Sequence, residues 1–351
     1  MAETQFQSLS VEEPRRALRA AQAEGPYPAF LIEKDVWVVA TLGVLFDAPF
    51  GNQLVFKGGT SLSKVWHVIR QFSEDVDITY DIREFAPDLV SDAGDEALPP
   101  TRSQEKRWTK TIRPRLAQWV RERVGPLLEE ELARAGFEAR VKAQAERLHI
   151  EYDPLFETFG TVRPRVKVDF GARSTGEPHA AQVVVCDAAS HLPDIGFPVA
   201  HPAVMLAERT LWEKATAVHV YCLQGRRRGE RWSRHWHDLA RLDEAGIGAR
   251  AVADRELGLA VARHKAMFFR ENDSNGERID YEAAISGSLR LVPTGAAPEV
   301  LANDYASTLA SGMLLDEDEP FSALMERCAV IEERVNSQIV SDSCLAVDDF
   351  P

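Results

Sequence analysis

Phe56-Lys57-Gly58-Gly59-Thr60-Ser61, followed at Phe72 by Phe72-Ser73-Glu74-Asp75-Val76-Asp77-Ile78, is the stretch from which this chain is read. Leu54-Val55-Phe56 is a short apolar run that predicts a buried strand, and Gly58-Gly59 ends it. Two glycines let the backbone turn sharply and approach a ligand that a Cβ would hold away. Thr60 or Ser61 is placed to cap a helix running to about Arg70, with Leu62, Val65, Trp66 and Ile69 forming one buried face. Amides at such a helix start attract phosphate. The next strand, Glu74 to Tyr80, puts Asp75, Asp77 and Thr79 on one face and Val76, Ile78 and Tyr80 on the other. Adjacent carboxylates on one face repel each other, so the arrangement makes sense with a divalent cation between them. Mg²⁺ prefers one or two carboxylates together with substrate phosphate oxygens.

Transfer of a phosphoryl or nucleotidyl group usually calls for a further acid. In Arg165-Val166-Lys167-Val168-Asp169-Phe170-Gly171 the apolar residues alternate with Lys167 and Asp169, and Gly171 is expected to break the strand. Asp169 is then either a third carboxylate of the site or half of a surface Lys–Asp pair. Farther on, Ala203 to Leu223 reads as a helix, with Leu206, Leu211, Ala215, Val218 and Cys222 as its apolar stripe. Lys214 lies in its middle, either extending to solvent or neutralising triphosphate charge. Asp238 opens an apolar helix, where its plain role is to complement the helix dipole.

Two stretches concentrate positive charge. The first runs from Arg102 through Lys106, Arg107, Lys110, Arg113, Arg115, Arg121 and Arg123, carries Trp108 and Trp119, and predicts a helix interrupted near Pro114. The second runs from Gln224 to His235, with Trp232 and Trp236 available for stacking. Each is either a solvated surface or one wall of an RNA groove. His235 and His237 have no partners at metal-ligand spacing, and Cys186, Cys222, Cys328 and Cys344 form no Cys-x-x-Cys, so zinc is not expected.

The 351 residues carry 41 basic and 55 acidic side chains, a net charge of −14 that argues against bulk affinity for nucleic acid but leaves room for a local basic groove. No run of about 18 apolar residues predicts a membrane span. The N-terminus lacks a basic-then-apolar signal pattern, and the dispersed cysteines suit reduced thiols in a cytoplasm. Helices are expected from Val11 to Gln22 and from Ile32 to Leu45, and the sheet-forming core is interrupted by a polar, proline-rich loop from Phe85 to Thr101 and a helical insertion from Ser103 to Ala135. Strands are expected at Ala139–Ala143, Leu148–Tyr152, Arg163–Phe170 and Gln182–Cys186. Pro198 and Pro202 suggest a division into residues 1–200, with the sheet, and 201–340, mainly helical, followed by a disordered tail over 341–351. The fold class is α+β.

Lys57-Gly58-Gly59-Thr60-Ser61-Leu62-Ser63-Lys64 followed by Phe72-Ser73-Glu74-Asp75-Val76-Asp77 resembles the AbiEii family of nucleotidyltransferase-like toxins. The resemblance extends to Ile32-Glu33-Lys34-Asp35-Val36-Trp37, Lys167-Val168-Asp169, Trp212-Glu213-Lys214-Ala215, His237-Asp238-Leu239 and His264-Lys265-Ala266-Met267-Phe268-Phe269, covering about residues 30 to 340. It implies a polymerase β-like mixed sheet with a helical insertion and a mainly helical C-terminal domain. It implies a nucleotidyltransferase using Mg²⁺ or Mn²⁺ and a nucleoside triphosphate, with an RNA acceptor such as the 3′ end of tRNA. The toxin role implies reversible growth arrest and a winged-helix antitoxin encoded nearby; a monomer and no membrane attachment are expected. By the same resemblance Gly58, Gly59, Thr60, Ser61, Ser73 and Lys167 contact the nucleotide, and Asp75, Asp77 and Asp169 hold metal. Those three acids, with Lys214 and Asp238, form the catalytic set, with Asp169 or Asp238 as base. Gln71 stands where the family usually has arginine, and Ala240-Arg241-Leu242 departs from its tyrosine-containing stretch. Two other outcomes are compatible with the residues: modification of a protein, including the chain itself at Ser73, and a nucleotide-binding regulator whose site has decayed.

Overall fold

The computed structural model describes the chain apart from residues 1–3, 11, 71, 73–74, 158–162, 226–231, 311–313, 315–318 and 346–351, and apart from the side chains of residues 338–345. The chain forms two compact units, one of residues 1–67 and 72–205, the other of residues 68–71 and 206–351. Among the described residues no helix is long and apolar enough to cross a membrane. The mixed sheet with many helices is an α+β fold in which the strands belong to the first unit.

The first unit opens with helices α1 (Glu13–Glu24) and α2 (Ala29–Asp47). Strand β1 (Leu54–Lys57) leads into the short helix α3 (Gly58–Lys64), and β2 (Asp75–Asp81) follows. The insertion contains α4 (Arg102–Trp119), a π-helical turn at Val120–Val124 and α5 (Gly125–Arg134). Strands β3 (Ala139–Gln144), β4 (Arg147–Tyr152), β5 (Arg165–Ser174), β6 (His179–Ala181) and β7 (Ala203–Met205) complete the sheet. Its order is β3-β4-β5-β2-β1-β7-β6. The pairs β2–β5 and β1–β7 are parallel, and β1–β2, β3–β4, β4–β5 and β6–β7 antiparallel.

Alternation along β2, β4 and β5 buries Val76, Ile78, Leu148, Ile150, Val166 and Val168 on one face. The insertion joins β2 to the parallel β5, a connection too long for a hairpin. Trp119 of α4 packs on Phe50, Tyr80, Phe85 and Phe170, with ring centroids 5.0 to 6.2 Å apart. Trp37 of α2 stacks on Tyr152 at 4.6 Å. Such rings bury large apolar area and fix the helices against the sheet.

Helix α2 is apolar, yet it buries three consecutive charged residues. Glu33 accepts a hydrogen bond from the Leu155 amide at 2.8 Å, and burial pushes its pKa up to about 7. Lys34 donates to the Arg163 carbonyl at 3.1 Å. Asp35 accepts from the Asp187 amide at 2.6 Å and pairs with Lys64 at 2.5 Å, while Lys64 also reaches Asp187 at 2.7 Å. Burial opposes the Lys64 charge, but Asp35 and Asp187 outweigh it and raise the Lys64 pKa. The Gly-Gly turn is thus tied through the end of α3 to α2.

Several elements depart from the sequence expectations. Helix α3 starts at Gly58, capped by Lys57 without a side-chain bond, and ends at Lys64 rather than near Arg70. Lys64 is drawn into the triad, Trp66 donates to the Met205 carbonyl at 3.1 Å, and His67 takes a φ of 50°. These tertiary bonds override the helical spacing of Val65, Trp66 and Ile69. Strand β5 runs through Gly171 to Ser174, because Thr79 of β2 continues to pair with Gly171. Helix α4 runs through Pro114 without interruption. Of Gln182–Cys186 only Val184–Val185 is strand, pairing with Val199–Ala200 outside the main sheet.

The second unit is helical: α6 (Ala207–Gln224), α7 (Ser233–Glu244), α8 (Ile247–Ala253), α9 (Arg255–Phe268), α10 (Ala297–Ala310) and α11 (Phe321–Leu345). The helix expected from Ala203 begins only at Ala207, since Ala203–Met205 joins the sheet beside β1. It ends at Gly225, whose φ of 53° suits a glycine cap. Helix α11 extends into the expected tail as far as Leu345; residues 346–351 lie outside the described residues. Trp212 donates to the Ala251 carbonyl at 3.0 Å and Trp236 to the Leu291 carbonyl at 2.6 Å. Trp236 is therefore a core residue and not the stacking platform expected of it, while Trp232 stacks on Tyr221 at 5.0 Å. Arg226 to Arg231 of the second basic stretch lie outside the described residues.

His219 is buried, its Nδ1 accepts the Arg290 amide at 3.0 Å, and burial with the Arg290 charge lowers its pKa to about 4. Asp35→Ala should cost about 3 kcal/mol by leaving the Lys64 charge short of its nearest partner. Adding Lys64→Met should restore most of that loss; urea denaturation giving less than about 1 kcal/mol for the single change would refute the triad's role. His219 binds its proton less readily folded than unfolded, so its contribution is fully present above pH 6.5 and is lost as pH falls towards 4. His219→Gln should flatten the stability profile in that window, and an unchanged profile in denaturation at pH 7 and 5 would count against it.

Candidate active site

The register of four strands lays charged residues in a row across the sheet. Lys57 on β1 pairs with Asp77 on β2, Asp77 with Asp169 on β5, and Asp169 with Arg147 on β4. Neighbouring strands are about 4.8 Å apart, so the row alternates cation, acid, acid, cation over a short span. One step along the strands, Asp75 pairs with Lys167, and Lys167 with His149. The side chains of both rows stand on the face opposite the apolar core. Asp75, Asp77, Asp169 and Lys167 are thereby brought onto one surface from two chain segments joined by the insertion.

The side chains are mutually engaged. Lys167 lies 3.0 Å from Asp75 and 2.7 Å from Asp169, and Arg147 hydrogen-bonds Asp169. Burial opposes the Lys167 charge, but its bonds to Asp169 and Asp75 prevail and raise its pKa. Burial pushes the Asp77 carboxyl up to about 6, with Asp169 and Asp75 adding to the shift and Lys57 and Lys167 opposing it. Asp77 is a buried carboxylate whose acidic neighbours offer further hard oxygen donors. That donor chemistry suits Mg²⁺ or Mn²⁺. As the side chains stand, no group of three His, Cys, Asp or Glu is drawn together on a metal position among the described residues, since Lys167 occupies Asp75 and Asp169.

The glycine turn abuts this row. Gly58 has a φ of +81°, and a Cβ there would lie 2.2 Å from Asp77 Oδ2. Both the left-handed conformation and the close approach require glycine. Gly58 and Gly59 are half-buried, whereas Thr60 and Ser61 are buried. Thr60 donates to the Asp75 carbonyl, and Ser61 to the Gly58 carbonyl at 2.8 Å. Their hydroxyls brace the turn against the acidic strand, so the accessible part of the turn is the Gly58-Gly59 backbone. Ser73 and Gln71 lie outside the described residues.

Lys214 and Asp238 meet within the second unit, 2.7 Å apart and nearly buried. Burial disfavours the Asp238 charge, but Lys214, helped by His237, holds its pKa well below the usual carboxylate range. Asp238 sits in the second turn of α7, not at its start, so it does not serve as the helix-dipole residue. Lys214 is paired with Asp238 rather than extended to solvent. Sequence reading did not single out Lys57 and Arg147 as the ends of the charged row. Lys57 follows from β1 alternation once its pairing is known; Arg147 depends on the register of β4 against the distant β5, which leaves no local signal.

A family model described as nucleotidyl transferase AbiEii toxin, type IV toxin–antitoxin system, matches residues 42–327. No curated protein matches the chain. Among solved structures, MenT4, the nucleotidyltransferase toxin Rv2826c from Mycobacterium tuberculosis H37Rv, is similar with 16% identity and a TM-score of 0.44, covering 95% of this chain and 93% of that one. Gly58→Ala should destabilise the chain by about 1–2 kcal/mol through the left-handed backbone alone, and should also displace Asp77. Denaturation together with triphosphate titration checks both effects; an unaltered variant would show that the turn tolerates a Cβ.

Proposed function

Because the chain belongs to the AbiEii family of nucleotidyltransferase toxins of type IV toxin–antitoxin systems, we propose that it transfers a nucleoside monophosphate from a nucleoside triphosphate to the 3′-hydroxyl of an RNA, of the tRNA class. The row Lys57, Asp77, Asp169, Arg147, with Gly58 against Asp77, carries the assignment. Asp75, Asp77 and Asp169 would hold Mg²⁺, which when bound supplies charge neutralisation for phosphate oxygens. The Gly58-Gly59 backbone, which lies against Asp77 at Gly58, receives the polyphosphate. Lys167, between Asp75 and Asp169, offers an ammonium to the same negative charge.

The acceptor oxygen bonds to the α-phosphorus, the bond from that phosphorus to the bridging oxygen breaks, and pyrophosphate leaves with the bonding pair. The hydroxyl proton passes to Asp169, which is 25% exposed and so within reach of an acceptor. For the second unit we propose that Asp238 holds the Lys214 ammonium for a nucleotide phosphate. Type IV membership carries with it an antitoxin partner.

Asp77→Asn should reduce transfer at least about 100-fold, the order lost when one preorganised electrostatic group is removed. Labelled triphosphates with Mg²⁺, followed by separate counting of RNA and protein, test the whole scheme. Undiminished transfer by the variant would overturn the site. Label confined to protein would overturn the acceptor.

A further inference from the structure

The insertion carries charge that the transfer chemistry leaves unused. Lys106, Arg107, Lys110, Arg113 and Arg115 are all exposed on α4. Arg115 pairs with Asp88 at 2.7 Å and Arg113 with Glu146 at 2.7 Å. Lys106, Arg107 and Lys110 meet no acidic partner among the described residues. Lys106, Lys110 and Arg113 recur at i, i+4 and i+7 and share one helix face, with Arg115 on the other side. At 1.5 Å per residue the three span about 10 Å, more than a single phosphate group occupies. In a chain with a net charge of −14, this stripe is a local reversal of sign.

At Arg113 the helix borders a cleft of about 470 Å³, lined also by Glu146, Arg147, Asp169, Gly171 and Arg173. Its arginines outnumber its two acids. Burial and the Arg113 charge lower the Arg173 pKa, as expected where cations are crowded. The cleft shares Asp169 with the charged row and lies on the Arg147 side of it. The glycine turn lies on the other side, against Asp77. The two acids at the centre of the row therefore have the glycine turn on one flank and a basic cleft on the other.

We propose that the Lys106–Lys110–Arg113 face and the cleft containing Arg147 and Arg173 form a track for the sugar-phosphate backbone of a single-stranded polynucleotide, which delivers its 3′ end to Asp169. This rests on the transfer reading above for the role of Asp169 but not for binding itself. Trp108 is buried and Trp119 is packed among Phe50, Tyr80, Phe85 and Phe170, so neither offers a ring to a base. The track therefore reads phosphate rather than sequence, and its binding is strongly salt-dependent.

Fluorescence anisotropy with 5′-labelled single-stranded RNA and DNA 12-mers and a blunt duplex, without triphosphate, tests this on the full chain. The wild-type chain should bind single strands better than the duplex. Lys106→Gln with Lys110→Gln should weaken single-strand binding and reduce the slope of log affinity against log salt by about 1.4, at about 0.7 per lost phosphate contact. Arg115→Gln, off the face, should leave the slope unchanged, and a fluorescent triphosphate should bind both variants as it binds the wild-type chain. Preference for RNA over DNA would identify the sugar as part of recognition; equal binding would assign it to phosphate alone. An unchanged slope in the Lys106/Lys110 variant, or no single-strand binding by the wild-type chain, would overturn the track even if transfer to RNA is observed. Oligonucleotide binding with the expected slope but no transfer under any triphosphate would retain the track and remove the transfer reading.

Discussion

The parallel pairing of β2 with β5 is the constraint on which the site depends. It sets Asp77 opposite Asp169 and Asp75 opposite Lys167. The two strands are separated in sequence by the whole insertion, and a slip of one residue would turn Asp169 to the core and Val168 to the surface. Val166 and Val168 are fully buried beneath that register, as are Val76 and Ile78. The hydrophobic face thus enforces the charged one: each apolar side chain held in the core fixes an acid or a lysine on the opposite side.

A second layer of constraint lies beneath the glycine turn. Glu33, Lys34 and Asp35 are buried on α2, and each is satisfied by a different distant segment, near Leu155, Arg163 and Asp187. Buried charges of this kind are a poor source of stability compared with apolar packing, but breaking them is costly, so they make alternative packings unfavourable. Lys64 links α3 to this set. Thr60 links the same helix to the acidic strand through the Asp75 carbonyl. The turn at Gly58 is therefore held from both ends, through Lys64 on one side and Thr60 on the other.

The parts of this arrangement that were legible in sequence are those with a local physical signature. Strict alternation placed Asp75 and Asp77 together on one face of their strand, and Lys167 and Asp169 together on one face of theirs, and paired glycines marked the turn. Extents depended on tertiary contacts and were less legible. The spacing of Leu62, Val65, Trp66 and Ile69 suits a helix, yet Trp66 spends its indole N–H on Met205 and the helix stops at Lys64. Ala203 to Met205 extends the apolar stripe of α6 in sequence, but the same residues complete the sheet beside Phe56. A short apolar run does not distinguish the two uses by periodicity alone. Arg147 was illegible for a different reason: its place opposite Asp169 is set by the pairing of β4 with the distant β5, and β4 begins there after a two-residue turn whose Ala145 adopts a φ of 52°. An alanine gives no sequence signal for a left-handed backbone, since glycine or asparagine is the usual occupant.

Charge on this chain is organised at two ranges, and each range answers a different question. Over the whole molecule the net charge of −14 discourages nonspecific adhesion to polyanions. Within a Debye length of about 8 Å at physiological salt, only local charge is felt strongly. Along the active face the local sequence is Lys57, Asp77, Asp169, Arg147, so a polyanion is repelled by the acids at the centre and attracted at either end. A row of mixed sign favours a ligand that can meet both cation and acid, a discrimination that a uniformly basic surface would not provide.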